Sequence, residues 1–302
     1  MDIVAFGDNI VDRFVDRRIA YPGGNCVNVA VFAADAGADA AYVGVVGDDP
    51  AGDMVLDALR RRGVDSTHVV RRHGPTGVTD LVTRDGDRVF LDWNDGGVTT
   101  SAPYVIDPAE LAWFDEARLV HSSVYSAAER ELPKLRAVGP VVSFDYSSEP
   151  EYRTDAYLRS TAPYVDLALF SGGPATAGDV ARLAERAAGS GAGLVLVTRG
   201  SSGAVLTDGA WSIEHPAVVV PEDEIVDTTG CGDAFLTGFV LRLLDGGWKR
   251  GRVPAPEICA DALRAGAERA ARQCYVEGAF GMGRPYDDDT AVAVPTSTPQ
   301  TP

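Results

Sequence analysis

Cysteine is sparse in this chain: Cys26, Cys231, Cys259 and Cys274 are the four in 302 residues. No two of them form a CxxC pair, which argues against a zinc site, and reduced thiols in a cytosol are the expectation. No apolar run approaches the roughly 20 residues that span a bilayer. The opening MDIVAFGD has no basic stretch and places an acid at Asp8. A secretory leader is therefore not expected, and a cytoplasmic location without membrane attachment is. Basic residues are outnumbered, with 27 Lys and Arg against 44 Asp and Glu, for a formal charge of −17. Such a chain repels nucleic acid and anionic membranes at long range. An anionic substrate would need a strong local site, such as helix N-terminal amides aided by a metal ion. GxxxxGK[ST] is absent, which excludes a Walker-type phosphate loop. The segment after the first apolar run reads GDNIVD rather than GxGxxG. That sets aside a nucleotide-binding oxidoreductase.

What is present is a core. Hydrophobic residues make up 45% of the chain and charged ones 24%, which is ample for a globular protein of this length. Short apolar runs at 3–6, 42–46, 118–122, 141–145, 165–170 and 194–198 read as buried strands. Alanine-rich stretches at 27–36, 51–62, 127–137, 175–188, 231–244 and 256–272 have helical length. This alternation predicts an α/β fold, a mainly parallel sheet with helices on both faces. Two stretches, about 13–21 and 76–95, break the pattern with β-branched, alternating segments and the turn Asp85-Gly86-Asp87. They read as a small antiparallel β lid, with a pair of ordinary hairpins as the alternative. The expected organisation is a single domain over 1–286 and a loose tail over 287–302, rich in Asp, Thr, Pro and Ser.

The chemistry concentrates in Asp227-Thr228-Thr229-Gly230-Cys231-Gly232-Asp233, which opens a strong helix. Gly230 and Gly232 allow a tight bend and close approach to a ligand. Amides at the helix start, with the dipole behind them, suit a developing negative charge. Asp233 stands where a carboxylate could take a proton from an attacking hydroxyl. Alone, the segment also suits a simple helix cap in which Asp233 satisfies amides.

DTTGCGDAF resembles the DTxGAGD signature of the ribokinase-like (PfkB) carbohydrate kinases. Gly23-Gly24-Asn25 with Asn28, Gly7-Asp8-Asn9-Ile10-Val11-Asp12, and Val197-Thr198-Arg199-Gly200 match further motifs in the family's order. The resemblance runs from residue 3 to about 280. It implies a three-layer α/β/α sandwich and a kinase moving the γ-phosphoryl of MgATP to a primary sugar hydroxyl. Asp233 would be the base, with Gly230, Cys231 and Gly232 forming the anion hole. Asp12, Gly24, Asn25 and Asn28 would bind sugar, and Thr198 and Gly200 the nucleotide. Asp227 would hold a monovalent cation, K+. Without the resemblance, Asp12, Asn25 and Asn28 equally suit capping, Thr198 and Gly200 a plain strand-end turn, and Asp227 a surface acid.

GDNxVD, GGNxVNVAV and VGDD resemble the branch that phosphorylates the 6-hydroxyl of fructosamines such as fructoselysine. An amine on that substrate could use acids near the lid, with Asp92 and Asp95 as candidates. A homodimer paired through the exposed lid face is a further expectation. Two departures stand out. The family's NxxE, which helps organise Mg2+, is replaced by Ser171-Gly172-Gly173-Pro174, and Cys231 replaces the usual alanine. Other readings are a family kinase for fructose, ribose, ketogluconate or a nucleoside, or a catalytically silent sugar- or nucleotide-sensing homologue.

Overall fold

The computed structural model describes residues 1–84, 87–173 and 176–287. Along the chain run β1 (Ile3–Gly7), β2 (Ile10–Phe14), β3 (Ile19–Gly23), α1 (Asn25–Asp35), β4 (Ala40–Gly47), α2 (Pro50–Arg61), β5 (Val70–Arg72), β6 (Val78–Arg84) and β7 (Asp87–Trp93). Short helices α3 (Val98–Ser101) and α4 (Leu111–Asp115) precede β8 (Leu119–Ser123), α5 (Leu132–Arg136), β9 (Val141–Asp145), α6 (Asp155–Thr161) and β10 (Leu167–Ser171). The chain continues with α7 (Ala177–Gly189), β11 (Leu194–Thr198), β12 (Ala204–Thr207), β13 (Ser212–His215), α8 (Cys231–Asp245), α9 (Pro256–Gln273) and β14 (Arg284–Pro285).

Among the described residues the strands form two sheets. The larger has the order β13-β12-β11-β10-β9-β8-β1-β4-β5 and is parallel from β11 to β5. Its interior strands are buried on both faces, which is why they read as unbroken apolar runs rather than alternating ones. In β1, Ile3 and Ala5 pack with α1, α2, α8 and α9, while Val4 and Phe6 pack on the opposite side with α4 to α7. Helices therefore cover both faces, in three layers. Among the described residues no helix is long and apolar enough to cross a membrane.

The smaller sheet has the order β14-β3-β2-β6-β7. It contains the two stretches expected as a lid, and it differs from a purely antiparallel one. β2 and β6 run parallel, because β6 arrives after a long excursion through β4 and α2 rather than by a hairpin. The turn residues Asp85 and Gly86 lie outside the described residues, as does the tail from 288 to 302. The helix expected at 127–137 shrinks to Leu132–Arg136. Ala127 adopts a left-handed conformation (φ 50°), and Pro133 is tolerated only in a helix's first turn.

Candidate functional site

The carboxyl ends of the parallel strands and the amino ends of α1 and α8 meet at one edge of the large sheet. β1 delivers Asp8, β8 ends on Ser123, and β9 ends on Asp145. The chain leaves β3 of the small sheet at Gly23 and enters α1 through Gly24, whose φ is 104°. A Cβ on Gly24 would lie 2.7 Å from the Asn9 backbone and 2.9 Å from the Asp8 carboxylate. Only glycine fits this passage.

Two asparagines on the first turn of α1 then reach acids from distant parts of the chain. Asn25 Nδ2 donates to Asp145 Oδ2 at 2.7 Å, and Asn28 Nδ2 donates to Asp233 Oδ2 at 2.7 Å. Neither asparagine acts as the cap of α1. Asp8 is held separately, accepting from Ser123 Oγ at 2.7 Å, Ser126 Oγ at 3.1 Å and the Cys26 amide at 3.3 Å.

Three acids are thus buried together. Burial pushes the Asp233 carboxyl well above the usual carboxylate range. The Asn28 hydrogen bond opposes this, and the charges of Asp145 and Asp8 add to it. Asp145 is pushed up to about 7, first by burial and further by Asp8 and Glu149, against its hydrogen bonds from Ser147 and Asn25. A carboxylate near neutrality in its proton affinity is suited to accept a proton and give it up again. Asn28 Oδ1 is buried with no hydrogen-bond donor among the described residues, and it lies 3.4 Å from where a Cβ on Gly23 would sit. It is an acceptor suited to a hydroxyl.

Gly230, which precedes α8, lies in the left-handed region (φ 74°). Asp233 sits in the helix's first turn, 8% exposed, and makes no side-chain cap. The cap reading of this segment is therefore set aside. The Cys231 amide turns back to Thr228 O at 3.2 Å, so one of the three expected anion donors is already engaged. Around Gly232 a Cβ would meet nothing within 4 Å, so the chain there faces open space.

Beside this turn lies a cavity of about 370 Å³ lined by Thr198, Gly200, Val219, Cys231, Gly232 and Cys274, among others. The expected nucleotide residues and the glycine loop share that one cavity. Its largely aliphatic walls suit a flat heterocycle.

Asp12 lies on β2, in register with Tyr21 and Thr79. Strand alternation places it on the face opposite Val11 and Arg13. Asp92 pairs across the sheet with Asp80, and both line a separate cavity of about 760 Å³ with Val11, Arg13, Met54 and Tyr286. The structure does not bring Asp92 together with Asp12. Asp179, the first acid after β10, is spent on the capping box of α7 with Thr176.

Asp227 anchors the start of the loop. Its Oδ1 accepts from the Thr229 amide at 2.9 Å and Thr229 Oγ1 at 2.8 Å, and its Oδ2 from the Gly278 amide at 2.9 Å. Gln273 completes the arrangement, its Nε2 donating to Thr229 O and Gly278 O, both at 3.1 Å.

The sequence model of the pfkB family carbohydrate kinases matches residues 15–273. The chain belongs to that family. It is a phosphotransferase acting on a sugar hydroxyl. The chain is 38% identical over 288 residues to fructosamine kinase FrlD of Bacillus subtilis (strain 168), covering 95% of each. It is 34% identical over 282 residues to fructoselysine 6-kinase of Escherichia coli (strain K12), covering 92% of this chain and 99% of that one. Among solved structures, fructokinase with bound ATP from Xylella fastidiosa aligns with a TM-score of 0.74 at 21% identity, over 93% of this chain and 95% of that chain. At that identity the likeness concerns the fold.

Asp8, Asp145 and Gln273 were not among the residues singled out from the sequence for this kinase site. A usable signal existed for Asp145. It is an acid closing a wholly apolar parallel strand, and in open α/β sheets such strand ends face the ligand crevice.

Proposed function

We propose that this kinase transfers the γ-phosphoryl of MgATP to the 6-hydroxyl of a fructosamine, with Asp233 as the base. The observation that carries the reading is the buried Asp233 carboxylate, held by Asn28 at the first turn of α8 with its proton affinity raised. In such a site the hydroxyl gives its proton to Asp233 while its oxygen attacks phosphorus, and the ADP oxygen leaves on the opposite side. The amides of the α8 first turn face the charge that builds on the phosphoryl oxygens. Cys231, its amide turned back to Thr228 O, shapes the turn, and its sulfur takes no part in the chemistry. The adenine end occupies the cavity at Thr198 and Gly200. Asn28 Oδ1 and Asp12 take sugar hydroxyls. The small sheet, which feeds directly through Gly23 into α1, acts as the lid that excludes water.

The substrate class rests on the two relatives named for fructosamine and fructoselysine, and on charge. A fructosamine carries a secondary ammonium. Asp8 and Asp145, buried beside the base, favour a cation over a neutral ketose. The test is kcat/KM for fructoselysine against fructose, ribose and adenosine, read by ADP release. Fructoselysine should lead by about tenfold or more, because a site built for a polar group loses strongly when that group is missing. Equal or better efficiency with any of the other three would overturn the substrate assignment and leave the kinase standing.

A further inference from the structure

Family resemblance implies a monovalent cation at Asp227. A cation of that kind is held by converging carbonyl oxygens next to a carboxylate. Such carbonyls are present here, and a side chain already serves them. Gln273, the last residue of α9, is 6% exposed, and its Nε2 bridges Thr229 O and Gly278 O. Both partners are pure acceptors, so the amide nitrogen must face them and its orientation is fixed by chemistry. The Asp227 carboxylate is meanwhile engaged by three donors from Thr229 and Gly278. The Cys274 carbonyl accepts the amides of Val226 and Asp227, at 2.8 and 3.3 Å. The residues present do not fit a K+ cage in this state, since the oxygens that would strip its water are satisfied by N–H groups and the Thr229 hydroxyl.

We propose that Gln273 replaces the monovalent cation, so that this kinase needs none. Its two amide hydrogens hold the carbonyls of Thr229 and Gly278 as a cation would, with partial rather than full positive charge. Thr229 directly precedes Gly230, and its carbonyl is four residues before the Asp233 amide. Fixing that carbonyl sets the pitch at which the α8 first turn meets the phosphoryl group. Gln273 touches no reactant and is a positioning residue. The inference rests on the kinase activity but not on which sugar is the acceptor.

The experiment compares KCl, NaCl and tetramethylammonium chloride at equal ionic strength, reading kcat and melting temperature. The wild-type protein should give the same kcat within about twofold and the same melting temperature in all three, since a bound ion would stabilise the fold by mass action. Gln273→Ala should turn over about tenfold or more slowly in tetramethylammonium, as small misplacements of a reacting group are costly. KCl should restore much of that loss. Gln273→Glu keeps the shape but offers a carboxylate in place of the donor, and should gain a K+-dependent rise in melting temperature. A wild-type kcat raised about tenfold or more by K+, or variants that match wild type in tetramethylammonium, would overturn the proposal. If Gln273→Ala does not fold, the wild-type and Gln273→Glu measurements still decide it.

Discussion

Gly230 and Gly232 look equivalent in sequence, and the structure predicts opposite stability effects for changing them to alanine. Gly230 holds a left-handed φ of 74°, and an added Cβ would lie 3.0 and 3.1 Å from the Cβ and Cα of Ala279 and 3.3 Å from the Phe32 ring. The left-handed conformation costs a non-glycine residue roughly 1–2 kcal/mol. Compression against the Ala279 backbone, which cannot swing aside, adds about 1 kcal/mol or more. For a chain of this size each kcal/mol lowers the melting temperature by about 2 °C, so Gly230→Ala should melt about 4–6 °C lower. Gly232 lies inside α8 without a positive φ, and its Cβ would meet nothing within 4 Å. Alanine is the better helix former by about 1 kcal/mol, so Gly232→Ala should melt slightly higher than wild type. Its activity should nevertheless fall, by about tenfold or more, because the new methyl enters the space where the phosphoryl oxygens approach the amides. Scanning calorimetry paired with kcat measurement separates the two. A Gly232→Ala protein with wild-type kcat would refute the placement of the phosphoryl group at this turn. A Gly230→Ala protein as stable as wild type would refute the packing argument.

With Asp233 as the proposed base, Asp233→Asn should lower kcat by more than the ~10²–10⁴-fold typical of acid–base assistance, while the Kd for ATP by calorimetry changes little; activity within about tenfold of wild type would sink the assignment. Since Asp233 must be ionised to act and its proton affinity is raised, kcat/KM should fall as pH drops through a value well above the ordinary carboxylate range. Asp145→Asn removes a charge that opposes this ionisation, so the acid limb should move to lower pH, and a limb that stays put or moves up would contradict the coupling. Cys231 and Cys274, whose sulfurs lie 3.6 Å apart, both line the cavity proposed for the nucleotide. A thiol-alkylating reagent should therefore inactivate the enzyme, saturating MgATP should slow the loss, and Cys231→Ala should keep most activity; a folded but inactive Cys231→Ala would show that the sulfur does more than fill space.

Much of the layered body can be read from the sequence, for a physical reason. β1, β4, β8, β9, β10 and β11 are buried on both faces and so appear as apolar runs. The edge strands β5 and β13 are half exposed and polar (Val70-Arg71-Arg72 and Ser212-Ile213-Glu214-His215), and no periodic signal marks them. For the site, local motifs announce what one segment does alone: the Gly230–Asp233 turn and the Gly23–Asn28 entry to α1. The acid trio has no such motif. Asp8, Asp145 and Asp233 meet only because β1 and β9 end at the same sheet edge and α8 returns to it. Gln273 is equally silent, since a glutamine at a helix end acquires meaning only from the two carbonyls across from it. Asp92 shows the converse case. Its strand and its sheet are legible, but which face it occupies depends on pairing with Asp80.

The threading of the large sheet also orders the protein's birth. In β1, an interior strand, Ile3 pairs with Ala40 on one side and with Leu119 on the other, so its second partner emerges late from the ribosome. The cover for α1 comes later still: α8 docks beside it, and Arg269 of α9 bonds the Phe32 carbonyl. Contacts so distant in sequence close slowly, and until they do, the apolar side of α1 stays open to solvent and to other chains. The helix that seals this seam is the one bearing Asp233. With Asp233 as the proposed base, a nascent or half-folded molecule can carry the parallel strands and the two asparagines of α1 yet lack that residue in place. On that assignment, maturation of the core and the onset of catalysis are one event.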